Sequence, residues 1–70
     1  MIILLNGKKE EAKDGVTISG LLKDRNIREE VVTVELNDNI VERPKYNVTF
    51  IKDRDKIEFV YYMGGGAHAF

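Results

Sequence analysis

An Asn6-Gly7 pair stands directly after an apolar run, Met1-Ile2-Ile3-Leu4-Leu5, and it restricts the fold more than any other feature of the chain. Both residues tolerate the positive φ that a two-residue type I′ turn demands at its centre. The chain therefore opens as a hairpin, with a first strand over residues 1–6 and a return strand over about 8–13. The return strand carries Lys8, Lys9, Glu10, Glu11 and Lys13, a composition suited to a solvated strand near a sheet edge. Asp14-Gly15 then breaks the chain.

A helix follows. Thr17 is placed as its N-cap, and Ile18, Leu21 and Leu22 fall at i, i+3 and i+4, a single apolar stripe for packing on a sheet. Gly20 weakens such a helix by about 1 kcal/mol relative to Ala, which points to a close approach of helix and sheet. Asn26 terminates it, and Ile27 folds back on the core. Residues 31–36 are β-branched and largely alternating, so they form a strand. Asn37-Asp38-Asn39 is a turn, Ile40-Val41 starts a short return strand, and Pro44 stops it. Residues 46–51 are irregular, with a short strand expected at Val48–Phe50. Asp53-Arg54-Asp55 is a second tight turn before a final strand over 56–63.

The order of elements gives an α+β domain, a mixed sheet of four to five strands with one main helix on one face. One helix covers one face only. Yet the first strand is apolar at Ile2 and Leu4 as well as at Ile3 and Leu5. The last alternates likewise, with Ile57, Phe59 and Tyr61 on one side and Val60 and Tyr62 on the other. An apolar second face either lies under the irregular 42–52 segment or waits for a partner protein. The partner is the favoured reading. It assigns Val60, Tyr62 and Met63 to the partner surface and turns Tyr61 inward with Phe59 and Ile57.

Composition narrows the function classes. With 70 residues there is one small core, and a chain of this size buries only about 60% of its unfolded surface. It has no cysteine, which excludes disulfides, thiolate metal sites and a thiol nucleophile. Lys and Arg total 11 against 12 Asp and Glu, a formal charge of −1, so nothing electrostatic recommends nucleic acid or an anionic membrane as partner. The first residues lack a basic leader and cleavage site, and no run approaches the roughly 20 apolar residues of a membrane span. A cytoplasmic protein is expected.

Several pieces in this order resemble the ThiS family of sulfur carriers, part of the ThiS/MoaD group of ubiquitin-like β-grasp proteins. They are the opening Met1 to Gly7, the run Asp14-Gly15-Val16-Thr17-Ile18 and the strand–turn–strand Val34 to Val41 with Arg43 beyond it. Last comes the block Asp53-x-Asp55-x-Ile57-Glu58-Phe59-Val60, with Gly65-Gly66 where such carriers end. The resemblance implies a β-grasp domain over 1–63, a flexible glycine tail over 64–66 and an extension over 67–70 that is removed. It implies that a ThiF/MoeB-like adenylating enzyme uses ATP to activate the Gly66 carboxylate, which becomes a thiocarboxylate. Thiazole synthase, or another sulfur acceptor, then takes the sulfur for thiamine biosynthesis. The carrier itself binds no cofactor or metal and is not an enzyme; it supplies no catalytic side chain.

The residues give physical reasons for this chemistry. Gly64, Gly65 and Gly66 lack a Cβ and thread a narrow channel in backbone angles closed to other residues. The amide between Gly66 and Ala67 is not a carboxylate and takes no adenylate, so cleavage between Gly66 and Ala67 is expected, by a metalloprotease in carriers with such extensions. After trimming, the sulfur goes to thiazole or, alternatively, to cysteine or homocysteine. A protein modifier joined through Gly66 to lysines is the rival from another class, and an interaction domain that keeps its tail is a third. The three glycines do not make a phosphate loop, because no helix and no Lys or Ser/Thr follow them. His68 is the only histidine, without a second ligand for a metal site.

Overall fold

Asn6 and Gly7 take φ of 49° and 84°, the paired positive angles of the expected turn. They join β1 (Ile2–Leu5) to β2 (Lys8–Glu11) in antiparallel register, with Leu5 opposite Lys8 and Ile2 opposite Glu11. The computed structural model describes residues 1–61. The remaining elements are α1 (Ile18–Asp24), β3 (Val32–Leu36), β4 (Asn39–Val41) and β5 (Lys56–Tyr61), with single 3-10 turns at Glu29–Val31 and Arg43–Lys45. The five strands form one mixed sheet in the order β2-β1-β5-β3-β4. Its centre is the parallel pairing of the first and last strands, Leu4 with Lys56 and Leu5 with Ile57. The architecture is the expected β-grasp.

Local signals act as the sequence suggests. Thr17 Oγ1 accepts a hydrogen bond from the Gly20 amide at 3.1 Å and caps α1. Asn26, at φ 60°, ends it, and the Ile27 amide donates back to the Leu22 carbonyl at 2.9 Å, a left-handed C-terminal cap. Ile18, Leu21 and Leu22 are buried against Ile3, Leu5, Ile57 and Phe59 of the sheet. Gly20 corrects its expected role. A Cβ there meets Val16 Cγ2 at 2.7 Å and Thr17 Oγ1 at 3.5 Å and no sheet atom. The crowding comes from the loop that leads into the helix.

The irregular segment 42–52 does not shield the second sheet face. It packs on the helix side, where Tyr46 and Ile51 enter the core. The Ile18 and Ser19 amides donate to the Thr49 and Tyr46 carbonyls, each at 3.0 Å. The strand expected at Val48–Phe50 reduces to a single bridge between Phe50 and Thr17, because no continuous neighbour lies beside it.

Tyr46 closes a gap in the sheet. β4 is only three residues long and pairs with β3 no farther than Val34, so the Val32 carbonyl on that edge of β3 lies beyond it. The Tyr46 hydroxyl accepts from the Val34 amide at 3.1 Å and donates to the Val32 carbonyl at 3.3 Å, with the side chain 2% exposed. Tyr46→Phe keeps the ring, removes the hydroxyl from the Val34 amide and takes from the buried Val32 carbonyl its hydroxyl donor. Such a loss costs about 1–3 kcal/mol. Urea unfolding of the variant is expected to show a lower midpoint with an unchanged slope.

The root of the tail and the outer sheet face

Gly64, Gly65, Gly66, Ala67, Tyr62 and Met63 lie outside the described residues, as do the whole of the expected tail over 64–66 and extension over 67–70 and the last two residues of the expected domain over 1–63. What the structure defines is the root from which they continue. β5 is the central strand, paired with β1 at Lys56 and Ile57 and with β3 from Ile57 to Tyr61. Toward β3, the Asn37 amide donates to the Lys56 carbonyl at 2.7 Å, and the Lys56 amide donates to Asn37 Oδ1 at 2.9 Å. Even-numbered residues of β5 therefore direct their backbone groups at β3, and odd-numbered ones at β1. On that side the Leu4 and Asn6 amides donate to the Asp55 and Ile57 carbonyls, each at 2.9 Å.

Asn6 has a second role that the sequence did not reveal. Its Oδ1 accepts from the Phe59 amide at 2.8 Å. Where β1 turns away into β2, a side chain supplies the acceptor that the next backbone carbonyl of a longer strand supplies. Asn-Gly signals a turn; nothing local signals the contact with a residue 53 positions away.

The face away from α1 is open. Ile2 is 43% exposed, Leu4 37% and Val60 47%. Val60 is exposed, on the face opposite the helix. Tyr61 is corrected. It shares the inward side with Ile57 and Phe59, and its ring meets that of Phe59 edge to face at 6.4 Å. It is nevertheless 38% exposed, because the strand has run past the end of the core.

Polar groups interrupt this face. Lys56 pairs with Asp38 at 2.7 Å, and the hydrogen bond and charge of Asp38 hold the Lys56 ammonium above its ordinary pKa, with Glu58 and Glu35 adding in the same direction. Glu58 lies directly across from Glu35, one step from the Val60–Thr33 pair. Like charges opposite one another on a sheet are mildly unfavourable, so the face is less stable in water alone than beside a complementary surface. Among the described residues no group of His, Cys, Asp or Glu is arranged to hold a metal ion. No helix among them is long and apolar enough to cross a membrane.

Comparison with known proteins gives these features a context. The ThiS family matches residues 3–66. The sulfur carrier protein ThiS of Bacillus subtilis is 38% identical over 66 residues, 93% of this chain and 100% of that protein. A thiazole synthase of Magnetococcus marinus is 40% identical over 68 residues, 97% of this chain. This chain spans only 21% of that synthase. The crystal structure of the thiamine biosynthesis protein ThiS from Geobacter metallireducens superposes with a TM-score of 0.82 at 38% identity, covering 94% of this chain and all of that one. On the family match and the full-length likeness together, the chain belongs to the ThiS family.

Proposed function

We propose that the protein is a sulfur carrier of thiazole formation in thiamine biosynthesis, carrying sulfur on the C-terminal carboxyl group of Gly66. The observation that supports this most directly is the extent of the family match, which runs from residue 3 and stops at Gly66. The likeness to a segment of a thiazole synthase supports a thiazole synthase as acceptor. Carriers of this family are substrates of an adenylating enzyme and then of a sulfur acceptor. Here a ThiF/MoeB-like enzyme is the proposed activator, and a metalloprotease that cuts between Gly66 and Ala67 is the proposed processing step. The cytoplasm, where ATP is available, is the proposed location.

The reaction follows from carboxylate chemistry. Gly66 carboxylate attacks the α-phosphate of ATP, releasing pyrophosphate and forming an acyl adenylate. The terminal sulfur of a persulfide attacks the carbonyl carbon and AMP leaves. A C–S bond forms, and a thiol then cleaves the persulfide's own S–S bond, giving a disulfide and the free thiocarboxylate. The carrier contributes its terminus, held on a rigid root at β5, and the outer face with Val60, continued by Tyr62 and Met63, as the docking surface.

Intact mass of the protein recovered from its native cells tests the assignment. A form ending at Gly66, part of it with one carboxyl oxygen replaced by sulfur, is expected. Isopeptide-linked conjugates in its place would identify a protein modifier, and full-length chain alone under sulfur-demanding growth would identify an interaction domain.

A further inference from the structure

Asn6 is the only asparagine of the chain that precedes a glycine; Asn26, Asn39 and Asn47 precede β-branched residues and Asn37 precedes Asp38. That neighbour decides how durable the side-chain amide is. The nitrogen of the next peptide can attack an asparagine Cγ and close a five-membered ring, and only glycine leaves that nitrogen without a side chain to shield it. Asn6 and Gly7 are both exposed, so water reaches the pair. In the folded chain two features oppose the reaction. The ring holds Cβ nearly in the plane of the following peptide, whereas the type I′ turn, with Asn6 at φ 49°, sets ψ well away from that arrangement. The side chain is also tied elsewhere, since Oδ1 accepts from the Phe59 amide at 2.8 Å, 53 positions along the chain. Swinging Cγ onto the Gly7 nitrogen breaks that bond.

We propose that Asn6 is a deamidation site gated by β5, closed while the Phe59 amide holds its side chain and open when that strand lets go. The covalent steps need water alone. The Gly7 nitrogen gives its proton to solvent and bonds to Cγ of Asn6, and the Cγ–Nδ2 bond breaks as ammonia leaves. Water then opens the succinimide at either carbonyl, with nothing oxidised or reduced. Opening at Cγ gives aspartate, which still offers an acceptor to the Phe59 amide. Opening at the main-chain carbonyl gives isoaspartate, which routes the backbone through Cβ and Cγ and lengthens it by one carbon. A two-residue turn that sets Leu5 opposite Lys8 has no slack for the extra atom, so the register of β1 and β2 is lost. The modification therefore marks chains in which β5 has been away from Asn6.

Ageing the full chain at neutral pH, folded and in guanidinium chloride, tests the gate. Peptide mapping locates the product, and hydrogen exchange read by NMR follows the Phe59 amide. In denaturant Asn6 is expected to deamidate before any other asparagine. In the folded chain its rate is expected to fall at least about tenfold, the equivalent of one hydrogen bond broken before each reaction. Exchange of the Phe59 amide reports the opening of that same bond. The reactive conformations are a subset of the open ones, so deamidation should be slowed at least as much as that exchange, each measured against its unfolded rate. Slowing smaller than the Phe59 protection overturns the proposal, because the ring would then close with the bond in place. So do equal rates in the two conditions, or another asparagine reacting first in denaturant.

Discussion

Incubated with ATP, a persulfide donor and its adenylating enzyme, a chain ending at Gly66 is expected to be converted to the thiocarboxylate, while the chain that runs on to Phe70 stays unchanged. The difference is one of kind. In the longer chain the Gly66 carbonyl belongs to an amide, which offers no anionic oxygen to ATP. Gly66→Ala in the shorter chain separates chemistry from shape, since the carboxylate remains and one methyl group is added. A misplacement of about 1 Å at a reacting centre costs on the order of a hundredfold, so loading should fall at least that far. Thermal unfolding of this variant should match the parent. A large drop in its melting temperature would make Gly66 a structural residue and would defeat the assignment of the tail.

Leu21→Ala is expected to have the largest effect on stability. Leu21 is 2% exposed and packs beside Leu22 and Ile18 on α1, the one α-helix among the described residues. Truncating such a side chain costs about 2–5 kcal/mol. A single small core supplies only about 3–5 kcal/mol in all, so the variant should be substantially unfolded at physiological temperature. Val60→Ala is the control, a substitution on the open face expected to stay within about 0.5 kcal/mol. Urea titration of both variants distinguishes them. A cost below about 1 kcal/mol for Leu21→Ala would mean that the sheet is covered by something other than α1.

The features legible in the sequence were those with a local cause. Asn6-Gly7 announces its turn through the φ it tolerates, Thr17 its cap through the reach of its hydroxyl, and β3 its strand through alternating β-branched residues. Strand parity separated Val60 from Ile57 and Phe59, and the structure shows which of the two faces is exposed. The features that were not legible depend on distant neighbours. Tyr46 sits in an irregular segment without periodicity, and its burial comes from a gap left by a short β4. Gly20 is crowded by Val16, a contact set by how the loop enters α1. Tyr61 has the parity of a core residue but lies beyond the edge of the core, a fact of length that parity does not carry.

The side-by-side placement of the first and last strands also sets the order of events at birth. A chain emerging from synthesis makes β1, β2, α1, β3 and β4 before the strand that must lie between β1 and β3. Until β5 arrives, its two neighbours have no common partner, and the contacts that join them span most of the chain. Closing so long a loop is slow and falls late in folding. A half-made carrier therefore has no finished surface to offer. The strand that completes the sheet is the one that leads into the glycines, so the step that finishes the fold also fixes the point from which they continue.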